Sequence, residues 1–255
     1  MTRSVEPVIR VLSTAEAAVP IVLDEIRRAA GEGRKLLGLA TGGTYAASWR
    51  ALGDELQAGR LRPEFLLTHL DEYLDFGPER RGGMVHELVT ACPPIAAMLR
   101  AGTFLPVPHL ADPAALATHE QRLTRAGGVA LQFLGIGRNG HIAFNEPGTA
   151  FDRGFHVTAL AETTRSDARS RFAPDEVPRR AITSGIATIL GARRLVLSAF
   201  GQAKAAAVAA MLRGEINPQC PASALRRHAD VLVLLDHEAA AGLDRDLDRV
   251  GGAGE

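Results

Sequence analysis

The chain has 255 residues, 46% hydrophobic and 23% charged, and its 29 basic and 29 acidic residues cancel to a formal net charge of zero. That composition fills an ordinary core and excludes fibres, disulfide miniproteins and disordered tails. A balanced charge removes the long-range field that draws proteins to nucleic acid or anionic membrane, so neither is an expected partner.

The opening MTRSVEPVIR is mixed in charge and has no apolar h-region. No apolar run approaches the roughly 18 residues that span a bilayer, so a cytoplasmic protein is expected. Residues 8–12 are apolar and strand-length, and a helix is predicted over 14–31, opened by the capping-box reading Ser13-Thr14-Ala15-Glu16. A second strand is predicted at 36–40. It runs into Thr41-Gly42-Gly43-Thr44 and then a helical pattern over 44–58. Two glycines let a ligand approach the backbone, and a helix start offers free N–H groups to an anion. A phosphate cradle and a plain tight turn both fit this loop.

A third strand at 65–70 leads into Asp71-Glu72-Tyr73. A carboxylate at the end of an apolar strand can have its pKa raised by desolvation and so carry protons. Residues 74–100, with Gly77-Pro78, Gly82-Gly83 and Cys92-Pro93-Pro94, are the least periodic and read as a long surface excursion. A helix is predicted over 112–126, then a strand at 129–136.

That strand ends in Gly135-Ile136-Gly137-Arg138-Asn139-Gly140-His141, followed by Ile142-Ala143-Phe144-Asn145-Glu146-Pro147. Three glycines permit a tight turn that exposes Asn139 and His141, with Glu146 near enough in sequence to orient the imidazole. The spacing from His141 to Glu146 lacks the one-turn helical period of zinc motifs, and no third ligand stands nearby, so no metal is expected. Cys92 and Cys220 lie far apart without ligand spacing and read as structural thiols. Arg165, Arg169 and Arg171 follow in a polar stretch. Beyond it come a predicted helix at 181–191, a strand at 195–200, Gly201-Gln202-Ala203-Lys204 at the start of a helix over 203–213, and a last strand at 231–235. Lys204 repeats the strand, glycine, helix layout of the first loop.

Strands apolar nearly throughout, alternating with helices, predict an α/β fold. The expected form is a single doubly wound, mostly parallel sheet with helices on both faces, in one domain over residues 1–255. Ligands of such folds bind beyond the carboxyl ends of the strands.

Taken together, TGGT, LDEY, GIGRNGHIAFNEPGT, SRF, GQAK and PASALRRHADVLVLLD resemble the glucosamine-6-phosphate deaminases. These enzymes belong to the sugar-phosphate isomerase superfamily that also holds the 6-phosphogluconolactonases. The resemblance runs from about residue 8 to about 243. Phe144-Asn145-Glu146-Pro147 separates the deaminase pattern from the lactonase one. What it implies is conversion of glucosamine 6-phosphate and water to fructose 6-phosphate and ammonia, a hydrolase reaction of amino sugar metabolism, without metal or organic cofactor.

On that resemblance Asp71 would move a proton between C2 and C1 of the open-chain sugar. His141 would open the ring, Glu146 would hold and tune the histidine, and Asn139 would hydrogen-bond within the relay. Thr41, Gly42, Gly43, Thr44, Arg171 and Lys204 would bind phosphate, and Glu72 would help place substrate or stabilise its loop. If His141 must be neutral, kcat/KM should fall on the acid side near the histidine reference of about 6.5.

Gly83-Met84 departs from the Ser-Tyr pair of many relatives, which bears on the wall of the site and the choice of amino sugar. His156 and Thr158 stand where allosterically activated relatives carry a basic pair, so no such activation is expected. The resemblance leaves open whether the chain forms a homo-oligomer. Alternatives are lactone hydrolysis and a non-catalytic sugar-phosphate sensor.

Overall fold

Near-continuous apolar strands dictate a sheet covered on both faces, and that is the architecture of the computed structural model, which describes residues 6–31, 33 and 35–243. The leader and single-domain expectations extend to residues 1–5 and 244–255, outside the described residues.

The first half runs β1 (Val8–Leu12), α1 (Ala18–Gly31), β2 (Leu36–Leu39), α2 (Ala46–Gln57), β3 (Leu66–His69), β4 (Asp71–Tyr73), α3 (Met84–Ala91), α4 (Pro94–Arg100) and β5 (Phe104–Leu105). The second runs α5 (Pro113–Arg125), β6 (Val129–Gly135), β7 (His156–Ala159), α6 (Glu162–Phe172), β8 (Arg180–Thr183), α7 (Ile186–Leu190), β9 (Arg194–Ala199), α8 (Ala205–Arg213) and β10 (Val231–Asp236). Short 3-10 turns at Gly43–Tyr45 and Gln202–Lys204 precede α2 and α8.

Seven strands form one sheet in the order β1-β10-β9-β6-β2-β3-β5, with every neighbouring pair parallel. From β2 the chain moves outward to β3, and from β6 it moves the opposite way to β9. Right-handed crossovers then put α1 to α4 on one face and α7 and α8 on the other. Adjacent strands with divergent connections open a crevice at their carboxyl ends. Here those strands are β2 and β6, which end in the TGGT and GIGRNGH loops.

The expectation of a single sheet needs one addition. Three strands form a second, antiparallel sheet in the order β4-β8-β7. The chain passes from one sheet to the other at Leu70, so Asp71 begins the small sheet directly beyond β3, paired with Thr183.

Three local expectations are corrected. Residues 74–100 are no surface excursion: they hold α3 and α4, whose Val85, Leu88, Ile95 and Met98 enter the main core. Glycine and proline bracket each helix so closely that neither shows a full amphipathic window. The helix expected over 181–191 is split between β8 and α7, because pairing with β4 and β7 overrides the helical pattern of Ala181 to Thr183. The first helix begins at Ala18, four residues late, with Thr14 Oγ1 accepting the Ala17 N–H at 3.3 Å.

Packing fixes the first loop. The Tyr45 hydroxyl donates to the carbonyls of Leu134 on β6 and Val196 on β9 at 3.1 and 3.0 Å, and Trp49 Nε1 donates to Ala40 O at 2.7 Å. Both rings are buried and stacked. The start of α2 is thereby bolted across three strands.

Candidate active site

The first loop leaves its strand through Gly42, whose φ of 93° lies in the left-handed region that favours glycine. Gly201, before Lys204, has φ 85°, so the repeated layout seen in sequence is a repeated conformation. The two loops differ in what they leave free. Gly201 N–H donates to both oxygens of Asp236, at 3.0 and 2.8 Å. The N–H groups of Gly43 and Thr44 have no acceptor among the described residues. Gly42 N–H is likewise taken by a carboxylate, that of Glu87 at 2.6 Å, so the loops differ one residue on, where Gln202 N–H donates to Glu238 and Gly43 N–H stays free for an anion.

Asp71 is 6% exposed and its carboxyl makes no hydrogen bond among the described residues. Burial, and then the neighbouring Glu72, push its pKa up to about 8, against a smaller opposing pull from Arg171. Glu72 is 1% exposed and otherwise employed. Its carboxylate accepts the backbone N–H groups of Tyr73, Met84 and Val85 at 2.8, 2.9 and 3.0 Å. Burial pushes its pKa up to about 7 in spite of those bonds. Of the two expected roles, loop support is the one this geometry serves: Glu72 pins the first turn of α3 and does not line the cleft.

His141 folds back over Gly137, where a Cβ would overlap the imidazole and force it aside. Asn139 Oδ1 lies 2.7 Å from His141 Nδ1, and Asn139 Nδ2 donates to Glu146 Oε2 at 2.9 Å. The other Glu146 oxygen accepts from Thr164 Oγ1 at 2.7 Å and from the Ala161 N–H at 3.1 Å. Glu146 comes only to 3.7 Å from the ring, so its hold on the histidine passes through Asn139, the residue expected to hydrogen-bond within the relay. An amide oxygen accepts only, which puts the Nδ1 proton on the neutral ring and leaves Nε2 as its base. Burial holds the histidine pKa below its usual value, opposed by the Glu146 charge.

Thr41, Gly42, Gly43, Thr44, Asp71, His141, Arg171 and Lys204 line one cleft of about 250 Å³ at the switch point. Asn139 and Glu146 stand behind the histidine, and Glu72 behind Asp71. Lys204 is half-buried, and burial lowers its pKa. Sequence reasoning missed α6, which supplies Thr164, Asp167, Ala168 and Arg171 to this cleft. Their spacing at i, i+3, i+4 and i+7 marks one helix face and was the available signal. Among the described residues no cluster of three or more histidine, cysteine or acidic side chains could hold a metal.

The fold and the cleft define a class, a doubly wound α/β protein whose switch-point crevice brings a glycine loop and two cationic side chains together with a buried carboxyl and an imidazole. Within it, the chain belongs to the family described as glucosamine-6-phosphate isomerases/6-phosphogluconolactonase, whose model matches residues 14–234. It is 39% identical over 241 residues to the glucosamine-6-phosphate deaminase of Rhodopirellula baltica, covering 91% of this chain and 93% of that protein. A match at 46% identity to the glucosamine-6-phosphate deaminase of Exiguobacterium sibiricum is shorter, spanning 59% of this chain and 60% of that one. A solved monomeric glucosamine-6-phosphate deaminase superposes with a TM-score of 0.83 at 35% identity, over 92% of this chain and 99% of its own.

Proposed function

We propose that this chain converts glucosamine 6-phosphate and water to fructose 6-phosphate and ammonia. The observation that carries the reading is the shared cleft: a buried carboxyl and an imidazole both face the space beside the Thr41 to Thr44 cradle. The relatives named above support the same substrate.

In this reading Lys204, Arg171 and the cradle N–H groups hold the phosphate, turning remote binding energy into orientation of the hexose. His141 Nε2 takes the proton of the anomeric hydroxyl and returns it to the ring oxygen, opening the pyranose. Asp71 then takes the C2 proton and delivers it to C1. The C1 oxygen gains a proton as the amine loses one, so C2 becomes an imine; water adds to it, a proton passes to the nitrogen, and ammonia leaves as the C2 carbonyl forms. Each positioned transfer supplies about 10²- to 10⁴-fold. The net reaction breaks a C–N bond with water and is hydrolytic in balance, although its first half is an aldose-to-ketose shift.

Lactone hydrolysis, the other activity in the family description, needs no carrier between C2 and C1. Asp71, buried at the cleft with a carboxyl free of hydrogen bonds among the described residues, supplies such a carrier and supports the isomerising reading. We take residues 1–255 as one domain, since β1 and β10, from opposite ends of the chain, pair in one sheet. Among the described residues no helix is long and apolar enough to cross a membrane. We read the reaction as cytoplasmic because a charged sugar phosphate does not cross a bilayer unaided and is held where it is made.

The test is ammonia release by purified protein from glucosamine and galactosamine 6-phosphates with chelator present. Turnover of either supports the reading and ranks the two epimers. No turnover in the forward direction, and none from fructose 6-phosphate with ammonia, overturns it.

A further inference from the structure

The cradle is already engaged from within. Glu87, in the first turn of α3, accepts the Gly42 N–H at 2.6 Å through Oε1, and its Oε2 lies 3.0 Å from Arg171 Nη1. Both donors belong to the group expected to bind phosphate. The same turn delivers Met84, whose sulfur lies 3.0 Å from Thr41 Oγ1 and 3.6 Å from Arg171 Nη1. Positions 84 and 87 are three apart and share one face of α3. That face cannot drift, because Glu72 holds the Met84 and Val85 N–H groups.

We infer that Glu87 is an internal stand-in for phosphate, a competing anion that any ligand must displace from Gly42 and Arg171. The inference rests on the cradle being the phosphate subsite of the proposed reaction. A carboxylate presents two acceptor oxygens in the same plane and span as two oxygens of a phosphate. Two anions cannot share the Gly42 N–H, and like charges a few ångströms apart in a half-buried cleft repel strongly. The Glu87 side chain is 28% exposed, so a change of rotamer carries its carboxylate to solvent without unwinding α3.

Displacement weakens every anion by a similar factor and leaves the ratio between two ligands unchanged. What changes is occupancy. Inorganic phosphate, held by the cradle alone, is kept from filling the site. A sugar phosphate adds contacts from its hexose and still binds.

Calorimetric titration with inorganic phosphate at fixed ionic strength tests this on wild type, Glu87→Gln and Glu87→Ala. Both variants should bind phosphate about tenfold more tightly, the worth of one charge-assisted hydrogen bond. Their KM for glucosamine 6-phosphate should fall in parallel. Unchanged or weaker phosphate binding overturns the inference, since Glu87 would then be positioning Arg171 for the ligand. Absence of phosphate binding in all three proteins overturns it together with the cradle assignment. Tighter phosphate binding without ammonia release supports it while removing the deaminase reading, so the two failures are distinguishable.

Discussion

Asn139 Oδ1 lies 2.7 Å from His141 Nδ1, a full ångström nearer than the Glu146 carboxylate. The amide passes on the orientation that Glu146 imposes but takes up no proton, so the ring nitrogen facing the cleft stays unprotonated. Asn139→Leu should therefore lower kcat about tenfold or more with little change in KM. Steady-state kinetics checks it, and a raised KM at unchanged kcat would assign Asn139 to binding instead.

Asp71→Asn keeps the shape of the site and removes its proton carrier. kcat should fall by at least about 10². The same change should stabilise the fold. The Asp71 pKa is raised from 3.8 to about 8, so its contribution is present in full below about pH 4 and is lost as pH rises toward 8. The variant's advantage should thus grow over that window, reaching about 3 °C in Tm or more at pH 8. A thermal melt series from pH 4 to 9 reads it directly. A constant difference would mean that the carboxyl is not desolvated.

The pH profile separates the two candidate bases. Burial lowers the pKa of His141 below its ordinary value, which moves its titration to the acid side of the histidine reference expected from sequence. The acid limb of kcat/KM should instead follow Asp71, rising with pH through an apparent pKa near 8. The amine of the free substrate is titrated separately to subtract its own ionisation. A limb near 6.5 would return control to the histidine.

Lys204→Ala should mainly weaken binding, raising KM about tenfold while kcat falls less. The lysine has no salt-bridge partner among the described residues and faces the cradle across the cleft. Comparison with 2-deoxyglucose 6-phosphate and glucose as inhibitors checks the assignment. Affinity for the phosphorylated sugar alone should drop in the variant.

Much of this was legible before any coordinates. Buried parallel strands announce themselves as unbroken apolar runs, and all six runs read from the sequence are strands of the large sheet. The loops after them carry glycines, whose spacing exposed the cradle, His141 and Lys204. What escaped depends on distance along the chain. The small sheet joins β4 to strands more than 80 residues away, and its members are too short to show alternation. Helix α6 has so polar a surface that only Thr164, Ala168 and Phe172 are buried. The place of Asn139 between His141 and Glu146 depends on how the turn folds back, which spacing alone does not give. Glu87 lay within a stretch read as surface, so nothing drew attention to a carboxylate there.

Among the described residues the outer strand β1 pairs in the large sheet with β10 alone, and Asp236 at the end of β10 holds the Gly201 loop that carries Lys204. On the ribosome, β1 must wait for β10, made long after it, before it has a partner. Until β10 emerges, a nascent chain has its cradle but no anchored lysine. Synthesis therefore completes the edge of the sheet and the cation of the cleft in a single late event, and a chain cut short before residue 231 should lose both together.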